Sequence, residues 1–325
     1  MVEVATVRGP VDPADLGTTL MHEHVFVLTA DVQQNYPGQW DEQARIADAV
    51  TRLSALKQAG VDTIVDPTVV GLGRYIPRIQ RVNSEVDLNI VVATGLYTYT
   101  DAPFYFRYRG PAVNPDLPEP MVDMFVRDIE EGIAGTGVRA AFLKCAIDAP
   151  GMTPDVERIL RAVARAHLRT GAPITVHTHP GTRNGLAVRR VLDEEGVDPH
   201  RVVLGHSGDT TDADHLSELA DAGFLLGMDR FGIDVELPFA DRVGIVAEMV
   251  RRGYAGQLVL SHDASCYIDW VDPALIAALP NWHYLHIHRD VLPALREQGV
   301  TQEQITQMLV DNPRRYFAGG EAPKN

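Results

Sequence analysis

The stretch Thr19-Leu-Met-His-Glu-His-Val-Phe-Val27 is an apolar run interrupted by two imidazoles one residue apart. In an extended strand, side chains at i and i+2 share a face, so His22 and His24 are expected on the same side. Seven further short apolar runs follow: Thr63–Pro67, Ile90–Tyr97, Ala141–Ile147, Ile174–Thr178, Val202–His206, Phe224–Met228 and Leu258–Asp263. Helical patterns lie between them. Asp41–Ala59 places Ile46, Val50, Leu53 and Leu56 on one stripe and stops at Gly60. Pro154–Thr170 opens with proline at a first helical position behind Thr153 as a cap, and Gly171 follows it. Thr301 and Gln304 read as a capping box opening the last helix. Eight strand–helix units in series predict an α/β chain folded as a (β/α)8 TIM barrel.

The 325 residues, 45% of them apolar, accommodate one such barrel with extensions. No linker-like composition shift divides them. The expected organisation is one domain over 1–325, with the barrel at about 18–320 and a long eighth loop at about 264–288. Lys plus Arg number 29 and Asp plus Glu 44, a net charge of −15 that argues against a nucleic-acid partner. Cys145 and Cys266 are the only cysteines, which excludes a disulfide framework and makes a reducing cytoplasm the expected location. The start of the chain lacks the basic-then-apolar pattern of a secretory signal. No apolar stretch approaches the roughly 18 residues of a bilayer span.

Several strand candidates end in a metal-binding side chain: His22 and His24, Lys144, His177, His206 and Asp263. In a barrel these ends converge on the C-terminal mouth, where active sites sit. Singly, each has an ordinary reading. A His-x-His pair is usually structural, an aspartate after an apolar run is usually a turn or cap, and Lys144 alone fits a carboxylate pair or a snorkelling stem. Burial gives Lys144 a sharper role, because desolvation lowers a lysine pKa and exposes a neutral amine. Such an amine can take up CO2 and become an anionic carbamate, N6-carboxylysine, able to bridge two metals. His177 and His179 form a second His-x-His pair whose ligand is ambiguous on spacing alone.

The motifs MHEH (21–24), FLKCAI (142–147), VHTHPG (176–181), GHSGD (205–209), GMDRFG (227–232) and SHDAS (261–265) resemble the phosphotriesterase family of the amidohydrolase superfamily. Within it, TGLYTY (94–99) and NWHYLHIHRDVLPALREQGV (281–300) resemble the phosphotriesterase-like lactonases. The resemblance implies that His22, His24 and Asp263 bind a more buried metal and that His177 and His206 bind a more exposed one. It implies carboxylated Lys144 and a hydroxide as bridges, with two divalent transition-metal ions (Zn, Fe, Co or Mn) as cofactors. It places the fifth-strand ligand at His177 and His179 on the rim. The expected chemistry is attack of the bridging hydroxide on the carbonyl of an N-acyl-homoserine lactone or another aliphatic lactone, with weaker hydrolysis of organophosphate triesters. Tyr97 and Arg230 are expected to orient the reacting groups, and Asp263 to carry a proton. Phe231, Ser265, Cys266 and Trp270 are expected in the substrate pocket. A homodimer is implied by resemblance alone. A dedicated phosphotriesterase and a non-catalytic ligand-binding barrel are the competing readings. His283, His286 and His288 read as structural, while His167, His200 and His215 read as surface residues.

Overall fold

A computed structural model describes residues 3–319, so the ends of the expected domain, 1–2 and 320–325, lie outside the described residues. The eight barrel strands are β1 (Thr19–Leu20), β2 (Thr63–Asp66), β3 (Asn89–Gly95), β4 (Phe142–Ala146), β5 (Ile174–His177), β6 (Val202–Gly205), β7 (Leu225–Met228) and β8 (Leu258–Leu260). They lie in sequential order and every pairing is parallel. The Met21 amide donates to Leu260 O at 3.3 Å across the seam between β8 and β1. Helices stand between successive strands, so the chain is a (β/α)8 TIM barrel, as expected.

Side-chain alternation separates two cores. Val91, Ala93, Phe142, Val203, Leu225 and Val259 fill the barrel interior, while Ile90, Val92, Leu143 and Cys145 pack beneath the helices. Phe142 points inward, so Lys144 two residues on does too. Gly95 (φ 143°) brings β3 against this strand, since a Cβ there would lie 1.8 Å from Lys144 O. The local signals for helices hold closely. Asp41 caps Glu42–Gln58, Thr153 caps Pro154–Thr170 ahead of left-handed Gly171, and the Thr301–Gln304 capping box is formed. Two π-helical stretches, Ile287–Val291 and Gln307–Asp311, each lie two residues before a proline, Pro293 and Pro313. The missing proline N–H removes an i→i−4 bond there.

The first expected strand is corrected. Thr19–Val27 is not continuous: the regular ladder stops at Leu20, residues 21–23 stay bonded between β8 and β2, and His24–Val27 pairs in parallel with Ser265–Ile268. Backbone bonding explains the break, because the Glu23 amide donates to Val65 O and the His24 amide to Ala264 O. The eighth loop is correspondingly less irregular than expected, containing that strand and a short helix, Pro273–Ala277. The second strand stops at Asp66, before Pro67, which has no N–H to continue the ladder. The eighth stops at Leu260, so Asp263 lies beyond it. Among the described residues, no helix is long and apolar enough to cross a membrane.

Candidate metal centre and active site

Four imidazoles, one lysine and one carboxylate meet at the mouth, all facing a cavity of about 260 Å³. Each ring is held by one nitrogen and turns the other inward. His22 Nδ1 lies 3.0 Å from Asp229 Oδ2, leaving Nε2 3.4 Å from Asp263 Oδ1 and 3.5 Å from Lys144 Nζ. His24 Nδ1 lies 2.7 Å from Thr68 Oγ1, which itself donates to Asp66, leaving Nε2 3.2 Å from Asp263 Oδ1. His206 Nδ1 lies 3.0 Å from Asp229 Oδ1, leaving Nε2 2.8 Å from His177 Nδ1. His177 is turned the other way, with Nε2 bonded to Asp148 and Nδ1 inward. A polar partner on the outer nitrogen fixes tautomer and ring direction, an arrangement typical of metal-ligating histidines.

The donor set fits divalent cations. His22, His24 and Asp263 offer three ligand atoms within 4.8 Å of one another. The other cluster of that size, His22, His206 and Asp229, uses the outward nitrogens already bonded to Asp229. Asp229 is therefore better read as the group that orients both rings. His177 Nδ1 and His206 Nε2 make a second inward pair, and Lys144 reaches toward His22 Nε2.

Electrostatics at Lys144 are unusual for a lysine. It is 1% exposed, and its nearest polar contact is an imidazole. Burial depresses its pKa to about 8, with Asp263 and Asp229 opposing the shift. Burial also drives His177 down to about 4 and His206 well below its usual value, so both are neutral and their lone pairs free. Burial opposes charge on His24, yet Asp263 and Asp66 together lift its pKa to about 9. Burial alone would raise Asp263; the surrounding His22, His24, His206 and Arg230 outweigh it and hold the carboxyl ionised.

Two of the candidate ligands stand in strained backbone. His206 (φ 64°) and Asp263 (φ 52°) are left-handed, along with Ala134 and Arg183 elsewhere. Such conformations cost on the order of 1–3 kcal/mol and persist where surroundings over-determine them. At His206 the hold is Asp229 Oδ1, which accepts from the backbone amide at 2.7 Å as well as from the ring.

The remaining expected site residues divide. Tyr97 lines the cavity, its hydroxyl 3.2 Å from His177 Nδ1 and 2.6 Å from the Tyr99 hydroxyl. Burial raises the Tyr97 pKa well above 10, so the phenol stays protonated. Arg230 lines it too, donating from Nε to Asp263 Oδ2 at 3.2 Å and from Nη1 to Asp209 Oδ2 at 2.9 Å. Ser265 and Trp270 are on the wall. Phe231 and Cys266 are not: Phe231 is 2% exposed in the core, and Cys266, 4% exposed, faces the Tyr284 hydroxyl at 3.2 Å. Both alternate away from the mouth, Phe231 beside inward Arg230 and Cys266 beside Ser265. His179 also stays off the cavity wall. His286 pairs with Asp290 at 2.8 Å, and His283 and His288 join no metal-sized cluster among the described residues. His167 and His215 are corrected from surface to buried, at 8% and 2% exposure, because each lies on the inner stripe of its helix.

Asp66, Asp148, Asp209, Asp229 and Glu23 escaped the sequence reading. Asp66 ends a strand, and Asp148 and Asp229 stand just beyond one, as the candidate ligands do, which is a usable signal. Nothing local distinguishes Asp209 or Glu23 from solvated acids.

Comparison with known proteins adds an independent line. The model of the phosphotriesterase family matches residues 2–317. A phosphotriesterase homology protein of Mycobacterium tuberculosis is 64% identical over 98% of each chain. An aryldialkylphosphatase of Saccharolobus solfataricus is 39% identical over 96% of this chain and 98% of its own. The solved structure of the phosphotriesterase from Mycobacterium tuberculosis superposes with a TM-score of 0.96 at 63% identity, covering 99% of this chain and all of the other. With matches spanning nearly its whole length, the chain belongs to the phosphotriesterase family.

Proposed function

We propose that this protein is a hydrolase working with two divalent transition-metal ions, and that its preferred substrates are N-acyl-homoserine lactones or other aliphatic lactones. Organophosphate triesters are the secondary substrates. The observation that carries the reading is the common orientation of the rings: His22, His24, His177 and His206 are each anchored outward through one nitrogen and turn the other toward Asp263 or one another. His22, His24 and Asp263 would hold one ion, and His177 and His206 the other. Bound there, the ions would supply Lewis acidity and a water acidic enough to serve as nucleophile near neutral pH.

Lys144 completes the set as a carbamate. Its neutral amine adds through Nζ to the carbon of CO2, a proton leaves nitrogen for water, and an anionic two-oxygen ligand results. The depressed pKa and the lack of a hydrogen-bonded carboxylate support this reading.

The other residues act on the substrate. Arg230 and the Tyr97 hydroxyl point into the cavity, where they can donate to the substrate's carbonyl or phosphoryl oxygen and fix its approach. Asp263, ionised and held by His24 and Arg230, can accept the nucleophile's proton and return it to the departing alkoxide oxygen. Val27, Leu72, Ile268, Trp270, Val271 and Leu279 line an apolar wall suited to an aliphatic tail. Each methylene buried there is worth up to ~0.8 kcal/mol.

A dedicated phosphotriesterase is the second reading, favoured by the name of the Saccharolobus solfataricus relative, an aryldialkylphosphatase. A comparison of kcat/KM for an acyl-homoserine lactone and for paraoxon, at defined metal loading, separates the two. The lactonase reading requires the lactone to be the better substrate; a higher value for paraoxon overturns it. Fewer than one ion per chain after metal-replete expression would remove the metal reading altogether.

A further inference from the structure

Asp263 has a left-handed backbone (φ 52°), and one buried carboxylate grips the chain on both sides of it. Glu23 is 0% exposed. Its Oε1 accepts from Ser261 Oγ at 2.8 Å, from the His262 amide at 2.9 Å and from His262 Nδ1 at 2.5 Å. Its Oε2 accepts from the Ala264 amide at 3.0 Å. Glu23 itself stands between His22 and His24, and the His22 carbonyl accepts from the Asp263 amide at 3.0 Å. Ligand segments far apart in sequence are therefore tied together by one side chain. Its partners are neutral donors and an imidazole; no lysine or arginine is among them.

The far end of the eighth loop closes the same knot. The Ile287 amide donates to His262 Nε2 at 2.9 Å, so His262 carries its proton on Nδ1 and gives it to Glu23. Trp282 Nε1 lies 3.1 Å from the carbonyls of both His262 and Asp263. The Tyr284 hydroxyl donates to His24 O at 2.5 Å. Trp282 also lines the cavity, so the wall a substrate touches is bonded to the backbone of a candidate ligand.

We propose that Glu23 is a positioning residue that holds Asp263 in its ligating pose, and that Trp282 and His262 complete the clamp from the eighth loop. The substrate wall and the metal ligand then move as one unit. The inference rests on the two-metal reading above. It differs from that reading in predicting which residues set the lifetime of the bound ion rather than which ones ligate it.

The test compares wild type, Glu23→Gln and Trp282→Phe, each loaded with cobalt and then mixed with excess chelator. Ion release is followed by absorbance. Glu23→Gln keeps the shape but sets an amide N–H against at least one donor, and release should quicken about 10–100-fold. Its kcat should fall while KM stays within about twofold. Trp282→Phe keeps an aromatic ring in the wall and removes the N–H together with the pyrrole part of the indole; release should quicken in the same direction, by several-fold. A purely structural role would lower the melting temperature of the metal-free variants and leave ion release unchanged, and that pattern overturns the clamp. If Glu23→Gln does not fold, Trp282→Phe decides alone: wild-type release refutes the proposal. Absence of bound cobalt in wild type would instead refute the two-metal reading, a distinguishable result.

Discussion

Asp229→Asn is the sharpest perturbation of the site that leaves every candidate ligand in place. Asp229 is 1% exposed and accepts at both oxygens. Oδ1 takes the His206 amide at 2.7 Å and His206 Nδ1 at 3.0 Å, and Oδ2 takes His22 Nδ1 at 3.0 Å. An asparagine can keep one of those oxygens. Facing its oxygen to His206 preserves two bonds and puts the amide nitrogen against His22 Nδ1, donor to donor. The conflict is relieved if His22 moves its proton to Nε2, and that nitrogen then has no lone pair for a cation. Loss of such an outer partner typically costs 10–100-fold in metal affinity, about 1.4–2.8 kcal/mol. The alternative rotamer sacrifices two bonds and exposes the strained His206 backbone, so it should be the minor one. Competition against a chromophoric chelator, with ions counted per folded chain, measures the effect directly. Affinity within about twofold of wild type would show that Asp229 does not set the His22 tautomer.

Other outcomes follow from the same geometry. Lys144→Ala removes the proposed bridge and should leave less than a tenth of wild-type turnover on any substrate; a larger residue of activity contradicts the bridging role. Chelation should abolish the proposed hydrolase activity and Zn, Co or Mn restore it, whereas full turnover in a verified metal-free sample ends the metal hypothesis. Trp270, 43% exposed on the cavity wall, should matter more for long acyl chains than for short ones. Trp270→Ala should therefore raise KM for octanoyl- more than for butanoyl-homoserine lactone, and equal changes would remove it from the acyl site. His215 is buried with Nδ1 unpartnered, and burial holds its pKa below 6.5. Between that value and 6.5 the unfolded chain binds more protons, so stability is full above pH 6.5 and lost as pH falls through the window. His215→Met should shrink the drop in melting temperature between pH 7 and pH 5; an unchanged drop refutes this contribution.

The barrel was legible because its signals are local and repeated. Thr153 with Pro154, the Thr301–Gln304 box and the valine-rich strands each fix an element without help from distant residues. Their serial order then brings strand ends together, which is why residues from 22 to 263 could be placed at one mouth. What escaped depends on contacts across the chain. Thr19–Val27 has an unbroken strand pattern, yet it parts because Ala264 and Val65 offer backbone partners that no local window contains. Phe231 and Cys266 were misplaced by one step of alternation, since strand phase is lost once the regular ladder ends at Met228 and Leu260. Asp209 looks like a surface acid until Arg230 and Arg242 are found on its two oxygens.

Those missed acids explain how so many like-minded groups tolerate burial together. Inward-facing neutral imidazoles have no intrinsic reason to point at one another, and His177 and His206 come within 2.8 Å. Each is turned there by an outer carboxylate: Asp148 for His177, Asp229 for His206 and His22, and Asp66 through Thr68 for His24. Asp263, the carboxylate among the candidate ligands, is held by Arg230 on its side chain and by the Glu23 grip on its flanking backbone. The mouth thus consists of an inner ring of candidate ligand atoms pressed together by an outer ring of acceptors. Folding alone gains little from compressing the inner ring, and two of its members stand in disfavoured backbone. An arrangement that costs the apo protein stability while pre-orienting lone pairs is what a tightly bound pair of cations would reward.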